Sequence, residues 1–151
     1  MDDQHDPPDD WVSRYLRLLG VKREAVGLAA LARLTRAHLL AVPFGNLTAL
    51  LRYRAHRGGD LPPLDLDELL RQWEEGQGSG ACFEVGSTFS RLLAALGYEA
   101  YCVPGTISFP GSHQAIVVAF GGERYLVELG SGSPFFEPIP STATLKCGTS
   151  G

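Results

Sequence analysis

Residues Gly76 to Gly97, GQGSGACFEVGSTFSRLLAALG, join a glycine-rich loop to a helical pattern, and the rest of the chain is organised around them. Gly97 stands where a helix C-cap is expected. Apolar residues recur at steps of three and four, the period of a helix with one buried face. They are Val85, Phe89, Leu92, Leu93 and Leu96. The pattern predicts a helix that begins near Cys82 and ends at Gly97.

Cys82 lies on the first turn of this predicted helix. Unpaired backbone N–H groups and the positive end of the helix dipole favour a thiolate over a thiol at that place. Cys82 is therefore a candidate nucleophile, provided that a base activates it. The alternative is a small buried hydrophobic side chain, which is the ordinary state of a free cysteine.

Composition limits the classes of function. The 151 residues are 44% hydrophobic and 20% charged, as in an ordinary globular protein. The net charge of −4 argues against general nucleic-acid binding, and no apolar run approaches the ~20 residues that span a bilayer. The three cysteines (Cys82, Cys102 and Cys147) have no framework spacing, which indicates a reducing cytoplasm. Without a CxxC pair or clustered histidines, a metal site has no support.

The chain before the glycine-rich loop carries helical patterns. Residues 1–9 are acidic and contain prolines, which indicates a disordered tail. A first helix is predicted from an Asp10 cap to Gly20. A second is predicted from about Glu24 to Leu40, because Pro43 cannot continue it.

The segment between the second helix and the glycine-rich loop is basic and then helical. Asp65, with Glu68 three residues later, forms a capping-box-like start for a further helix. Four basic residues cluster before this helix. We expect a solvated loop there, and the alternative is a site that binds a phosphate group. These residues are Arg52, Arg54, His56 and Arg57.

After Gly97 the pattern becomes that of β-strands. A β-rich run from Glu99 to Ile107 is broken at Pro104-Gly105. The runs His113–Phe120 and Glu123–Leu129 are separated by Gly121-Gly122, the signal of a two-residue hairpin. Helices followed by strands predict an α+β fold, in which a helical bundle precedes antiparallel strands. The predicted units are a helical domain that includes the nucleophile helix, a partial β domain and a polar tail, over residues 10–97, 98–140 and 141–151.

The two-residue turn sets the register of the hairpin, because Phe120 must face Glu123. Counting outward, Ala115 faces Glu128, and His113 is the diagonal neighbour of Glu128 on the same face. A carboxylate in that place holds one imidazole nitrogen and leaves the other free to take a proton.

The alternatives for the two side chains are that His113 caps a strand and that Glu128 faces solvent. The run Tyr125 to Leu129 is otherwise apolar, however, and a carboxylate among such neighbours needs a partner. Cys82, His113 and Glu128 then follow the order of a Cys-His-acid triad.

Short motifs also occur in a characteristic order along about residues 11 to 140. Four of them precede His113 and its β run: Arg36-Ala37-His38, Val42-Pro43-Phe44-Gly45-Asn46-Leu47, Cys82-Phe83-Glu84 and Leu96-Gly97-Tyr98. Two follow it: Tyr125-Leu126-Val127-Glu128-Leu129-Gly130 and Pro134-Phe135. In order and spacing the chain resembles the arylamine N-acetyltransferases.

The resemblance implies a cysteine-proteinase-like core and a ping-pong reaction without a metal. Cys82 matches the nucleophile, His113 the base, and Glu128 stands where aspartate is usual. The thiolate would take acetyl from acetyl-CoA, and the nitrogen of a small aromatic amine or hydrazine would then attack the thioester. Backbone N–H groups near Cys82 would stabilise the oxyanion.

Two glycines depart from the family pattern. Gly78 replaces the signature arginine before the nucleophile, and Gly45 replaces a glutamate. If these two normally pair, the loss of both leaves no charge stranded. A looser loop before Cys82 is expected.

The resemblance also implies a sheet that is incomplete at the C-terminus and has exposed edges, since family members are about twice as long. A second copy in a homo-oligomer would cover those edges, or the chain is a fragment or a decayed copy. Other functions stay open: an amide synthase with a larger acyl donor, a thiol hydrolase, and a non-catalytic remnant or interaction protein.

Overall fold

The computed structural model describes residues 10–57, 60, 62, 64–130 and 135–141. Within them, helices come first and strands second, which confirms the α+β order. The helices are α1 (Trp11–Leu19), α2 (Leu28–Ala41), α3 (Leu47–Ala55), α4 (Leu66–Glu74) and α5 (Cys82–Ala95), and the strands are β1 (Glu99–Thr106), β2 (Pro110–Phe120), β3 (Glu123–Val127) and β4 (Ile139–Pro140). The predicted tail 1–9 and, except for Ser141, the predicted tail 141–151 lie outside the described residues. The division into domains stays a prediction.

Helices α1, α4 and α5 occur where the sequence predicts them. Asp10 precedes α1, although its side chain makes no capping hydrogen bond, and Gly20 ends α1 in the left-handed conformation with φ 68°. Asp65 caps α4 by accepting the Glu68 N–H at 3.2 Å. Gly97, with φ 99°, follows the last turn of α5. Local capping chemistry therefore accounts for the helix ends at Gly20, Asp65 and Gly97, whereas the start of α1 has no side-chain cap.

The apolar faces of the helices meet in one core. Helix α1 contacts α2, α4 and α5, and α5 also packs on β1 and β2. Removal of a large apolar side chain from water contributes about 1.5–3 kcal/mol. On the helices, the large apolar side chains without exposed surface are Tyr15, Leu31, Leu70, Phe89, Leu92 and Leu93. This core supports α5, the helix that carries Cys82.

The predicted start of the second helix at Glu24 is wrong, because α2 begins at Leu28. The hydroxyl of Tyr98 accepts the Gly27 N–H at 3.2 Å and donates to the Gly27 carbonyl at 2.9 Å. These bonds hold Gly27 in an extended conformation. A contact from Tyr98, which follows α5, therefore sets where α2 begins.

The prediction of a loop for the four basic residues is wrong in part. Arg52 and Arg54 lie on helix α3, and only His56 and Arg57 follow it. None of the α3 residues is buried. A helix without a buried stripe produces no clear 3.6-residue pattern. The apolar residues that stay exposed on it are Leu47, Leu50, Leu51 and Tyr53.

The four strands form an antiparallel sheet in the order β1-β2-β3-β4. Phe120 pairs with Glu123, so the predicted register of the hairpin is confirmed. Gly121 and Gly122 both have positive φ (59° and 79°), as a type I′ turn requires. The predicted break at Pro104-Gly105 is wrong, because both residues pair with β2 and the register shifts only after them, between Gly105 and Thr106. An edge strand tolerates a residue without an N–H.

Candidate active site

Cys82 is the first residue of α5 and is 9% exposed. Ala81 precedes the helix in an extended conformation and has no side-chain acceptor for the first-turn N–H groups. Glu84 supplies the reciprocal contact, because its Oε2 accepts the Ala81 N–H at 3.0 Å. The thiol therefore lies at a helix N-terminus, as predicted, beside backbone donors that have no partner within the helix.

The loop before Cys82 is held by hydrogen bonds to the segment that follows α2. Gly45 N–H donates to the Gly80 carbonyl at 3.1 Å, and Gly80 N–H donates to the Pro43 carbonyl at 3.0 Å. Ser79 N–H donates to Thr48 Oγ1 at 3.1 Å. These bonds tie the loop to the segment between α2 and α3 and to the first turn of α3. A looser loop than in the family stays a prediction.

Both departing glycines lie where space is tight. A Cβ at Gly78 would lie 2.9 Å from Gln72 Cβ, and one at Gly45 would lie 3.2 Å from Ser79 Oγ. A larger side chain at either place would move its neighbour. The approach of the loop to α4 therefore depends on Gly78, and its approach to the segment after α2 depends on Gly45.

His113 and Glu128 meet in a buried contact. His113 Nε2 lies 2.7 Å from Glu128 Oε2, and the residues are 7% and 8% exposed. The sequence predicts this contact from the hairpin register, and the structure contains it. Glu128 makes it from just beyond β3, since the paired ladder stops at Ile116 and Val127.

The partner strand makes room for the imidazole. Gly105 pairs with His113, and a Cβ at Gly105 would lie 3.3 Å from His113 Cδ2. The ring therefore packs over a residue that has no side chain, which limits its orientation.

Gly130 connects the histidine–carboxylate pair to the thiol. Its N–H donates to Glu128 Oε1 at 2.8 Å. A Cβ at Gly130 would lie 2.5 Å from Cys82 Cβ and 2.8 Å from Cys82 Cα, so only glycine fits against the nucleophile helix. The same added Cβ would lie 3.4 Å from Phe44 Cε2. Sequence reasoning missed this role of Gly130, although a glycine directly after an apolar run was a signal for it.

The second buried histidine has a different environment. His38 Nε2 lies 2.8 Å from the Tyr15 hydroxyl, and its ring packs on Phe89 with centroids 4.8 Å apart. Burial lowers the pKa of His38 to about 3. Because the residue is neutral near pH 7 and belongs to the core, it is a structural histidine. His113, by contrast, has a carboxylate partner.

Neither a metal-binding cluster nor a membrane-spanning helix occurs among the described residues. No group of three or more His, Cys, Asp or Glu in them is arranged to hold a metal ion. No helix in the same ranges combines the length and apolar character needed to cross a membrane. Cys102 is half-buried, with its Sγ 3.5 Å from Ser90 Oγ, and Cys147 lies outside the described residues.

Comparisons with known proteins agree on one family. The family model of the N-acetyltransferases matches residues 27–147. Proansamycin X synthase of Amycolatopsis mediterranei is 33% identical over 140 residues, which cover 85% of this chain and 51% of that protein.

Solved structures show the same fold. The arylamine N-acetyltransferase from Salmonella typhimurium matches with a TM-score of 0.71 at 24% identity, over 90% of this chain and 50% of that one. An arylamine N-acetyltransferase from Bacillus cereus, which has a unique Cys-His-Glu catalytic triad, matches with a TM-score of 0.69 at 24% identity, over 87% and 53%. The cysteine-proteinase-like fold is thus confirmed. The chain spans about half the length of these three proteins.

Proposed function

Because the chain belongs to the arylamine N-acetyltransferase family, we propose that Cys82 is its acyl-carrying nucleophile, His113 the base and Glu128 the acid that orients the base. One observation carries this proposal: Glu128 contacts His113 through one oxygen and Gly130 through the other. Gly130 in turn packs directly on Cys82. These contacts support a site in which the three residues act together at the N-terminal end of α5.

The contact with Glu128 uses Nε2, so proton exchange with the thiol would go through Nδ1 of His113. Nδ1 takes the Cys82 proton, and the thiolate attacks the thioester carbonyl of acetyl-CoA. The tetrahedral intermediate expels CoA, which takes the proton back from the imidazolium, and Cys82 is left as an acetyl thioester. Glu128 would stabilise the imidazolium through its contact with Nε2, without taking the proton.

The second half of the reaction runs in the opposite direction. The nitrogen of an arylamine or hydrazine attacks the acetyl thioester while His113 accepts its proton. The intermediate breaks down to the amide, and the sulfur of Cys82 recovers the proton. The first-turn N–H groups of α5 would stabilise the oxyanion in both halves, since they have no helical partner.

The extra methylene of glutamate is accommodated at this place. Glu128 lies beyond the end of β3, and its carboxylate reaches Nε2 at 2.7 Å while the other oxygen holds the Gly130 N–H. This geometry supports glutamate in the role that aspartate usually has.

A second candidate is an amide synthase that transfers a larger acyl group to an amine. The similarity to proansamycin X synthase favours testing donors other than acetyl-CoA. The catalytic residues would be the same, and only the acyl group and acceptor would differ. A homo-oligomer that covers the edges of the sheet, and a cytoplasmic location, both stay predictions.

Intact-mass spectrometry after addition of acetyl-CoA tests the proposal. We expect one acetyl group on Cys82, none on a Cys82→Ala variant, and discharge when an arylamine is added. A panel of longer acyl thioesters separates the two candidates, because a longer donor that outperforms acetyl-CoA indicates the amide synthase. Discharge as the free acid without any amine would indicate a hydrolase. The absence of any acyl adduct on folded protein would overturn the proposed function.

A further inference from the structure

Glu84 fixes the backbone directly before the nucleophile. It is 6% exposed, and its Oε2 accepts the Ala81 N–H at 3.0 Å. A capping box consists of two reciprocal hydrogen bonds between side chain and backbone. Ala81 has no side-chain oxygen, so only the bond from the Ala81 N–H to Glu84 is formed. The position of Cys82, one residue later, therefore depends on the Glu84 carboxylate.

A buried carboxylate stays charged only with compensation, and Arg52 lies in the place to provide it. Arg52 Nη1 is 3.9 Å from Glu84 Oε1. Its Nη2 donates to the Pro62 carbonyl at 3.0 Å, which orients the guanidinium group. The Arg52 side chain is 27% exposed, so solvent screens the pair only in part.

A second contact from α3 reaches the same loop. Thr48, one turn before Arg52, accepts the Ser79 N–H through Oγ1 at 3.1 Å. Helix α3 thus holds the glycine-rich loop at Ser79 and the first turn of α5 at Glu84. These polar contacts attach α3, which has no buried residues, to the loop and to α5.

We propose that Arg52 is a positioning residue for Cys82. Its guanidinium group pairs with Glu84 Oε1, which keeps the carboxylate in the place where Oε2 accepts the Ala81 N–H and holds the start of α5. In this chain Gly78 occupies the position of the signature arginine, and α3 supplies a cation from another place. The inference deepens the proposed function, because it assumes that Cys82 is the nucleophile.

The test measures how fast iodoacetamide alkylates Cys82. Peptide mass spectrometry locates the alkylated site, because the chain also contains Cys102 and Cys147. We expect Arg52→Gln to slow alkylation by about threefold or more, as for residues coupled in one network. Arg52→Lys keeps the charge and should recover most of the rate. Arg54→Gln removes a charge from an exposed position on the same helix and should match the wild type.

The double variant tests whether Arg52 acts through Glu84. In a Glu84→Gln background no buried charge needs compensation, so adding Arg52→Gln should not slow alkylation further. Further slowing in that background, an Arg52→Gln rate equal to the wild type, or no recovery with lysine would overturn the inference. If Arg52→Gln alone does not fold, the comparison of Glu84→Gln with the double variant decides, since neither leaves a buried charge unpaired.

Alkylation needs no acyl transfer, so the two proposals fail separately. Wild-type protein that takes no acyl group overturns the proposed function and leaves the alkylation comparison readable. Acylated wild type with unchanged alkylation in Arg52→Gln overturns only the role of Arg52.

Discussion

His113 Nε2 and Glu128 Oε2 lie 2.7 Å apart, in a contact from which solvent is nearly excluded. Glu128 reaches the imidazole from outside the paired strand and uses its other oxygen on the backbone of Gly130. The carboxylate is thus held at both oxygens. The imidazole orientation therefore depends on a group that is itself fixed.

Replacement of Glu128 by glutamine keeps the shape and removes the charge. We expect the rate of Cys82 acylation to fall by about 10²-fold or more, because no anion then stabilises the imidazolium. Rapid-quench intact-mass spectrometry measures this rate. Glu137→Gln, the same change at an exposed position, should leave it unaltered. A full acylation rate in the Glu128 variant would show that this carboxylate is not the orienting acid.

Gly130→Ala tests the contact with the nucleophile helix. The new Cβ would lie 2.5 Å from Cys82 Cβ, so one of the two segments must move by about an ångström. Displacement on that scale costs on the order of 10²-fold in rate. The same acylation assay measures the loss. Gly27→Ala is the control, because Gly27 is extended and a Cβ there meets nothing closer than 4.0 Å. Equal acylation rates for both variants would contradict the packing.

Phe89→Ala tests the core that supports α5. Phe89 has no exposed surface and packs on the His38 ring. We expect the free energy of unfolding to fall by about 3–5 kcal/mol, from the lost burial and the remaining cavity. Urea unfolding followed by circular dichroism measures it. Phe83→Ala, at a 47% exposed position on the same helix, should change stability by less than about 0.5 kcal/mol. A similar loss in both variants would place the core elsewhere.

The burial of His38 makes the free energy of unfolding depend on pH. Burial lowers its pKa in the folded protein to about 3, whereas the unfolded chain has the ordinary value of 6.5. Below pH 6.5 the unfolded state takes up a proton that the folded state does not bind, so stability falls as the pH drops from 6.5 towards 3. Between pH 7 and pH 4.5 this loss is about 2–3 kcal/mol.

Variants of His38 and of the exposed His56 isolate the contribution of His38 to the pH dependence of stability. Urea unfolding at the two pH values should show a smaller pH-dependent loss for His38→Gln than for the wild type. His56→Gln removes an exposed histidine and should retain the wild-type dependence. An unchanged loss in the His38 variant would mean that other groups cause the acid sensitivity.

Features that depend on neighbouring residues were predictable. The apolar period of α5, the glycine after its last turn and the Asp65 cap are local properties of the chain. The register of the hairpin follows from the length of its turn, and the contact between His113 and Glu128 follows from that register. For this reason a candidate triad was predictable without coordinates.

Other features depend on residues that are distant along the chain. The Tyr98 hydroxyl, 71 residues away, holds Gly27 and sets the start of α2. Helix α3 has exposed apolar residues and no buried stripe, so its sequence does not carry the usual helical pattern. The polar contacts of Thr48 and Arg52 with the loop and α5 arise only when these segments pack together.

The sequence by itself determined the α+β order, the helix that begins at Cys82 and the face shared by His113 and Glu128. Periodicity and turn length encode these features within short segments. Only the tertiary structure decided that Gly130 lies against Cys82 and that Glu84 lies near Arg52. Those contacts join separate segments, and their distances follow from packing around a common core, which no local pattern specifies.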